Sequence, residues 1–235
     1  MTIKRIRLIA SVLIALIAAS AAGAKDAKTV TYFIGDPRGR DVATFTSRAP
    51  LETIVGTTSK VSGHITVNPD NVMDKPDVQI LVDLASLNTG IERRDGHLRD
   101  SFLQTAQYPN ATFTLTKLIS VKPSKLQDGK TILLKAQGTM EIHGLKQTII
   151  ADVEATYFKE SEGTKAKMPG DLLVADTEFA LKLSQFSINR PQMLFMKLSD
   201  DIKIHVNATA STALDPSNLP PPGAPPGSAP AKSPG

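Results

Sequence analysis

Alternation with a period of two runs through most of this chain, and it restricts the possible folds more than any other feature. Residues 77–84 place Val78, Ile80, Val82 and Leu84 on one face of an extended segment. Residues 147–157 place Ile149, Ala151, Val153 and Ala155 on one face, with Asp152, Glu154 and Thr156 opposite. Residues 177–183 alternate Phe179, Leu181 and Leu183 with Glu178, Ala180 and Lys182. Residues 201–210 alternate Ile202, Ile204, Val206 and Ala208 with Lys203, His205 and Asn207. Side chains on a strand point to its two faces in turn, so each segment predicts a half-buried antiparallel strand. Shorter signals predict strands over 29–34, 41–46, 52–55, 61–67, 111–118 and 132–142. Turn residues separate them, at Asn68-Pro69-Asp70, Gln127-Asp128-Gly129, His143-Gly144 and Met168-Pro169-Gly170. Residues 91–103 depart from the rule: they are charged, space Ile91, Leu98 and Phe102 as on a helix, and predict one short helix before Tyr108-Pro109.

Strands in unbroken succession, each with one apolar face, predict an all-β up-and-down barrel or a sandwich. The inward faces carry many small residues. Ala151, Val153, Ala155, Val206 and Ala208 do not fill an eight-stranded interior, which takes bulky side chains to close. Such a lining predicts an apolar guest.

The ends of the chain read differently. Lys4, Arg5 and Arg7 precede an apolar run and the small-residue site Ala22-Gly23-Ala24, the pattern of a secretory signal peptide over 1–24. A retained membrane anchor is the competing reading, but the apolar core is short of the roughly 20 residues a span needs. The expectation is cleavage after Ala24, a periplasmic location and no stable membrane insertion of the mature chain. Half of the 16 prolines lie in residues 215–235, which predicts a disordered proline-rich tail. One domain, residues 25–214, remains. The net charge of +4 falls to nearly zero without the first 24 residues, and aromatics are only 5% with no Trp, so nucleic acid is not an expected partner. Zero cysteine excludes disulfides, thiolate metal sites and a cysteine nucleophile.

Residues 89–100 read Thr89-Gly90-Ile91-Glu92-Arg93-Arg94-Asp95-Gly96-His97-Leu98-Arg99-Asp100, followed by Phe102 and Tyr108-Pro109-Asn110-Ala111-Thr112-Phe113. With Ile142-His143-Gly144 and the closing Ser199-Asp200-Asp201-Ile202, this resembles the YceI family of lipid- and polyisoprenoid-binding proteins. The resemblance covers residues 41–210 in order and spacing. It implies a lipocalin-like antiparallel barrel of about eight strands holding an isoprenoid or fatty-acyl chain, in the periplasm and in some members as a homodimer. The family's His-Ser pair is missing near Tyr32-Phe33-Ile34, and its late F-G-I-x-R motif stands here as Phe186-Ser187-Ile188-Asn189-Arg190.

The expected lumen residues are therefore Val78, Ile80, Val82, Ile149, Ala151, Val153, Ala155, Phe179, Leu181, Ile202, Ile204 and Val206. Arg93, Arg94, His97 and Arg99 form the one notable polar cluster. They suit a phosphate, carboxylate or quinone oxygen at the barrel mouth, but ion pairs that pin the helix are the more usual role of such a cluster. His64, His97, His143 and His205 lack metal-ligand spacing, and no nucleophile or phosphate-loop motif is present, so neither a metal, nor a cofactor other than bound lipid, nor an enzymatic activity is expected. The remaining readings are a quinone-presenting partner of a membrane oxidoreductase and an interaction module with a filled core.

Overall fold

The computed structural model describes residues 28–189 and 199–214. The expected signal peptide, the expected tail and Arg190 of the late motif lie outside the described residues.

Ten strands form one antiparallel sheet: β1 (Val30–Ile34), β2 (Val42–Arg48), β3 (Thr53–Thr58), β4 (Val61–Val67), β5 (Asp77–Asp83), β6 (Asn110–Lys122), β7 (Lys130–Ile142), β8 (Leu145–Phe158), β9 (Leu172–Lys182) and β10 (Asp201–Ser211). Helix α1 (Glu92–His97) runs into one π turn at Leu98–Phe102, so the predicted helix is present in its expected place. A second, four-residue helix, α2 (Glu162–Lys165), has Ser161 as its capping-box residue. Among the described residues no helix is long and apolar enough to cross a membrane.

The ten strands make eight staves. β2 pairs with β10 at Lys203–Asn207 and β1 pairs with it at Ala210 and Ser211, so β1 and β2 share one edge of β10. β3 lies on β2 and β4 on β1, and only Ser59 and Lys60 separate them. The sheet thus closes as an eight-stranded antiparallel barrel with two kinked staves.

Two buried carboxylates hold the first kink. Asp41 accepts hydrogen bonds from the backbone N–H of Thr209 at 2.9 Å and of Asp36 at 3.1 Å, joining the bend to β10. Asp36 accepts from the Arg38 and Arg40 amides and from the Arg40 guanidinium. That guanidinium holds the Asp36 carboxyl below the usual carboxylate range, whereas burial pushes Asp41 up. Arg38 and Arg40 also donate to the Lys167 carbonyl, tying the kink to the β8–β9 connection.

Side chains pack in two clusters. One surrounds Tyr32, Ile34, Val67, Leu126, Ile132 and Leu173. The other gathers Leu84, Leu87, Leu103, Met140, Leu181, Phe186 and Ile188, with Leu98 and Phe102 of the helical segment against it. The helix therefore caps one end of the barrel. Two rings narrow that end because they lie over glycines on neighbouring staves, where a side chain would collide: a Cβ at Gly56 would stand 2.1 Å from the Phe45 ring, and one at Gly138 2.3 Å from the Phe113 ring.

Candidate functional site

A cavity of about 330 Å³ occupies the barrel interior, within the usual range for ligand pockets. All twelve lumen residues expected from alternation line it: Val78, Ile80 and Val82 of β5, Ile149, Ala151, Val153 and Ala155 of β8, Phe179 and Leu181 of β9, and Ile202, Ile204 and Val206 of β10. Small side chains meet across the wall, with Ala151 opposite Ala136 and Ala155 flanked by Ile132 and Ala175. Ala151 and Ala136 belong to neither packed cluster and border the open space, whereas Ala155 packs with the cluster around Tyr32.

Among the described residues the lining contains no charged side chain, and its polar members are Thr44, Ser47, Thr177 and Asn189. The Thr177 hydroxyl donates to the Asp152 carbonyl at 2.7 Å. Ser47 is 4% exposed and its Oγ has no hydrogen-bond partner. The strand expected over 41–46 stops one residue short of it, yet the alternation Ala43, Phe45, Ser47 continues inward. That continuation is the signal that would have found it.

The basic cluster stands apart from the lumen. None of Arg93, Arg94, His97 and Arg99 lines the cavity, although Leu98 and Phe102 beside them do. Arg93 and His97 are exposed and Arg99 is half-buried. Arg94 is held by two connecting segments: Nε donates to Thr89 Oγ1 at 2.8 Å, one terminal nitrogen donates to the Thr89 carbonyl at 2.9 Å, and the other pairs with Glu52 at 3.1 Å. Buried Asp95 accepts from the Thr89 amide and hydroxyl rather than from an arginine. Arg94 thus ties the helical cap to the β2–β3 turn. Replacing it by alanine is expected to cost about 1–2 kcal/mol, since it removes three hydrogen bonds from a partly exposed group. Thermal unfolding should register this as a fall of several degrees, and an unchanged midpoint would show that the tie carries no stability.

His143 closes the same end. Its Nδ1 lies 3.1 Å from the Phe186 carbonyl, which can only accept, so Nδ1 is the donor, and Nε2 is buried without a partner. The Tyr108 ring packs edge-on against it at 4.7 Å. Through this bond the β7–β8 turn holds Phe186, 1% exposed, over the cavity. No group of three or more potential metal ligands is found among the described residues.

Residues 34–210 match the YceI-like domain family. The chain belongs to that family. The barrel of this YceI-like chain is shared by solved structures at low identity. A polyisoprenoid-binding domain from Saccharophagus degradans, implicated in plant cell wall breakdown, superposes with a TM-score of 0.60 at 18% identity, covering 78% of this chain and 99% of that one. Burkholderia cenocepacia BcnA gives 0.55 at 16% identity, covering 73% and 96%. The Campylobacter jejuni YCEI protein gives 0.54 at 23% identity, covering 70% and 88%. No curated protein sequence matches the chain.

Proposed function

We propose that this YceI-like protein binds a long apolar chain, of isoprenoid or fatty-acyl type, inside the barrel and carries or stores it in the periplasm without chemical change. One observation carries the reading: a cavity of about 330 Å³ lined by apolar side chains from every stave and, among the described residues, by no charge. At about 24 cal/mol per Å³, a cavity of that size left unfilled would cost about 8 kcal/mol, a large share of the 5–15 kcal/mol that stabilises a typical domain. A guest offsets this cost. Ten buried carbons at ~0.8 kcal/mol each contribute roughly 8 kcal/mol before the cost of association. The solved polyisoprenoid-binding domain from Saccharophagus degradans shares the fold and supports the choice of ligand class.

Titration of the full chain with an environment-sensitive apolar fluorophore tests the binding. Saturable one-to-one binding that hexadecane displaces is the expected result. A fluorophore that does not saturate, or that hexadecane leaves in place, would contradict it.

A further inference from the structure

We infer that residues 89–107, which hold the helical cap, form a flap that swings open as one unit and is the way into and out of the barrel for the guest. The inference rests on the reading that the barrel holds an apolar chain, and it adds the end by which that chain enters and leaves.

The flap is bonded to itself and hardly to the barrel. Backbone hydrogen bonds fix its two roots: Asn88 exchanges N–H and C=O with Thr57 of β3 at 2.9 Å each, and the Leu84 amide donates to the Pro109 carbonyl at 2.8 Å. Between the roots the polar groups satisfy one another. Buried Asp95 accepts from the Thr89 amide and hydroxyl, and Arg94 donates to the Thr89 hydroxyl and carbonyl. The Leu103 amide donates to the Leu98 carbonyl and the Thr105 amide to the Arg99 carbonyl. Among the described residues, one polar tie leads from the flap to the barrel beyond its roots, the Arg94–Glu52 pair at 3.1 Å. Near the roots, Gly90 (φ +82°) and Gln104 (φ +49°) take left-handed backbone. A Cβ at Gly90 would meet nothing within 4 Å, so the glycine serves the bend rather than close packing. Loop positions of this kind absorb the rotation when a flap moves.

The two ends of the barrel are held shut by different forces. At the capped end the hold is apolar: Leu98 and Phe102 line the cavity, and Leu103 packs in the cluster beside them. Such contacts have no direction, so the hydrocarbon of a passing chain replaces them while the flap stands open. At the other end the β4–β5 and β6–β7 connections are zipped together. The Val72 amide donates to the Ser124 carbonyl and the Leu126 amide to the Pro69 carbonyl, both at 2.8 Å, while Lys125 pairs with Asp70 at 2.7 Å. Val72 and Leu126 are buried and line the cavity there. Parting these connections strands backbone groups beside a guest that cannot bond them. Opening the flap strands none, because its buried polar groups travel with their partners. The guest therefore passes the flap.

The chain has no cysteine, so an introduced pair is the only one to react. Glu52→Cys and Arg94→Cys are combined in the full chain and bridged with a short bismaleimide. The reference is the same protein capped with N-ethylmaleimide, which leaves no tether. Each is loaded with an apolar fluorophore, and release is followed after mixing with excess hexadecane. Bridging should slow release at least tenfold and slow uptake by the same factor, leaving affinity unchanged, because a gate alters rates and not end states. The same bridge between Asp70→Cys and Lys125→Cys should change neither rate.

A single change at exposed Glu52 gives an independent reading should the cysteine pair impair folding. Glu52→Lys turns the tie to Arg94 into a repulsion, so release should quicken about fivefold at low salt and return toward the parent rate in about 1 M salt. A bridged flap that releases as fast as the capped one, slow release with uptake unchanged, an equal slowing by the far-end bridge, or a Glu52→Lys protein with the parent rate would each overturn the flap while leaving chain binding intact. If the unaltered protein takes up no fluorophore, the chain-binding reading falls and the flap with it.

Discussion

Replacing Ala151 by phenylalanine is expected to leave the barrel folded and to remove its guest. Ala151 faces inward from β8, opposite Ala136 of β7, and both border open space outside the two packed clusters. A ring there enters a cavity of about 330 Å³ instead of displacing packed atoms. Unfolding stability should stay within about 1 kcal/mol of the parent, since the new ring buries apolar area without overpacking. Affinity for an apolar probe should fall at least tenfold. The same change at Ala155, four residues along the same face, should behave differently. Ala155 is packed with Ile132 and Leu173, so phenylalanine there overpacks the cluster and should cost about 1–3 kcal/mol. Glu154→Ala, on the outer face, should alter neither quantity. Equal destabilisation at both alanines, with probe binding intact, would mean that the space beside Ala151 is not where a ligand lies.

The second large effect concerns the seam that closes the barrel. β1 meets β10 through only two residue pairs, and Asp41 supplements them by accepting from the Thr209 and Asp36 amides. Asp41→Ala strands both N–H groups in a buried position, at an expected cost of about 3 kcal/mol. For a domain of this size that is a fall of about 10 °C in Tm. Asp41→Asn keeps one side-chain acceptor and should recover part of the loss. Asp70→Ala, which removes an exposed partner of Lys125, should leave the melting curve unmoved. If Asp41→Ala melts with the parent, the kink is held by its backbone pairs alone.

The lumen was legible in the sequence because burial on one side writes polarity onto alternate residues. Ile149, Ala151, Val153 and Ala155 read as one face, and all four line the cavity. The eight-stave closure was harder to see, since the pairing of β1 and β2 with the same edge of β10 depends on contacts almost 170 residues apart, among them Asp41 to Thr209. Strand ends were lost where alternation lapses. In β6, register shifts between Leu115 and Lys117 and between Leu118 and Ser120 hide the last turn of the pattern, and the strand continues to Lys122. β9 begins at Leu172 rather than Thr177, because Leu172-Leu173-Val174 shows no polar face. The basic cluster could not be placed from the sequence for a different reason. Composition marks charge but not direction, and Arg94 spends its donors on Thr89 and Glu52 in the connecting segments while Leu98 and Phe102 line the cavity. Ser47 passed unnoticed because a hydroxyl at the end of a strand is ordinary; its lack of a partner exists only in three dimensions.

Native mass spectrometry of the full chain, secreted into a bacterial periplasm and purified without detergent, tests the central claim most directly. The account predicts a single noncovalent adduct per chain, with the mass of one isoprenoid or fatty-acyl lipid, that the Ala151→Phe protein lacks. Unaltered protein that flies as the bare polypeptide, and that takes up no lipid when mixed with periplasmic membrane extract, would contradict it.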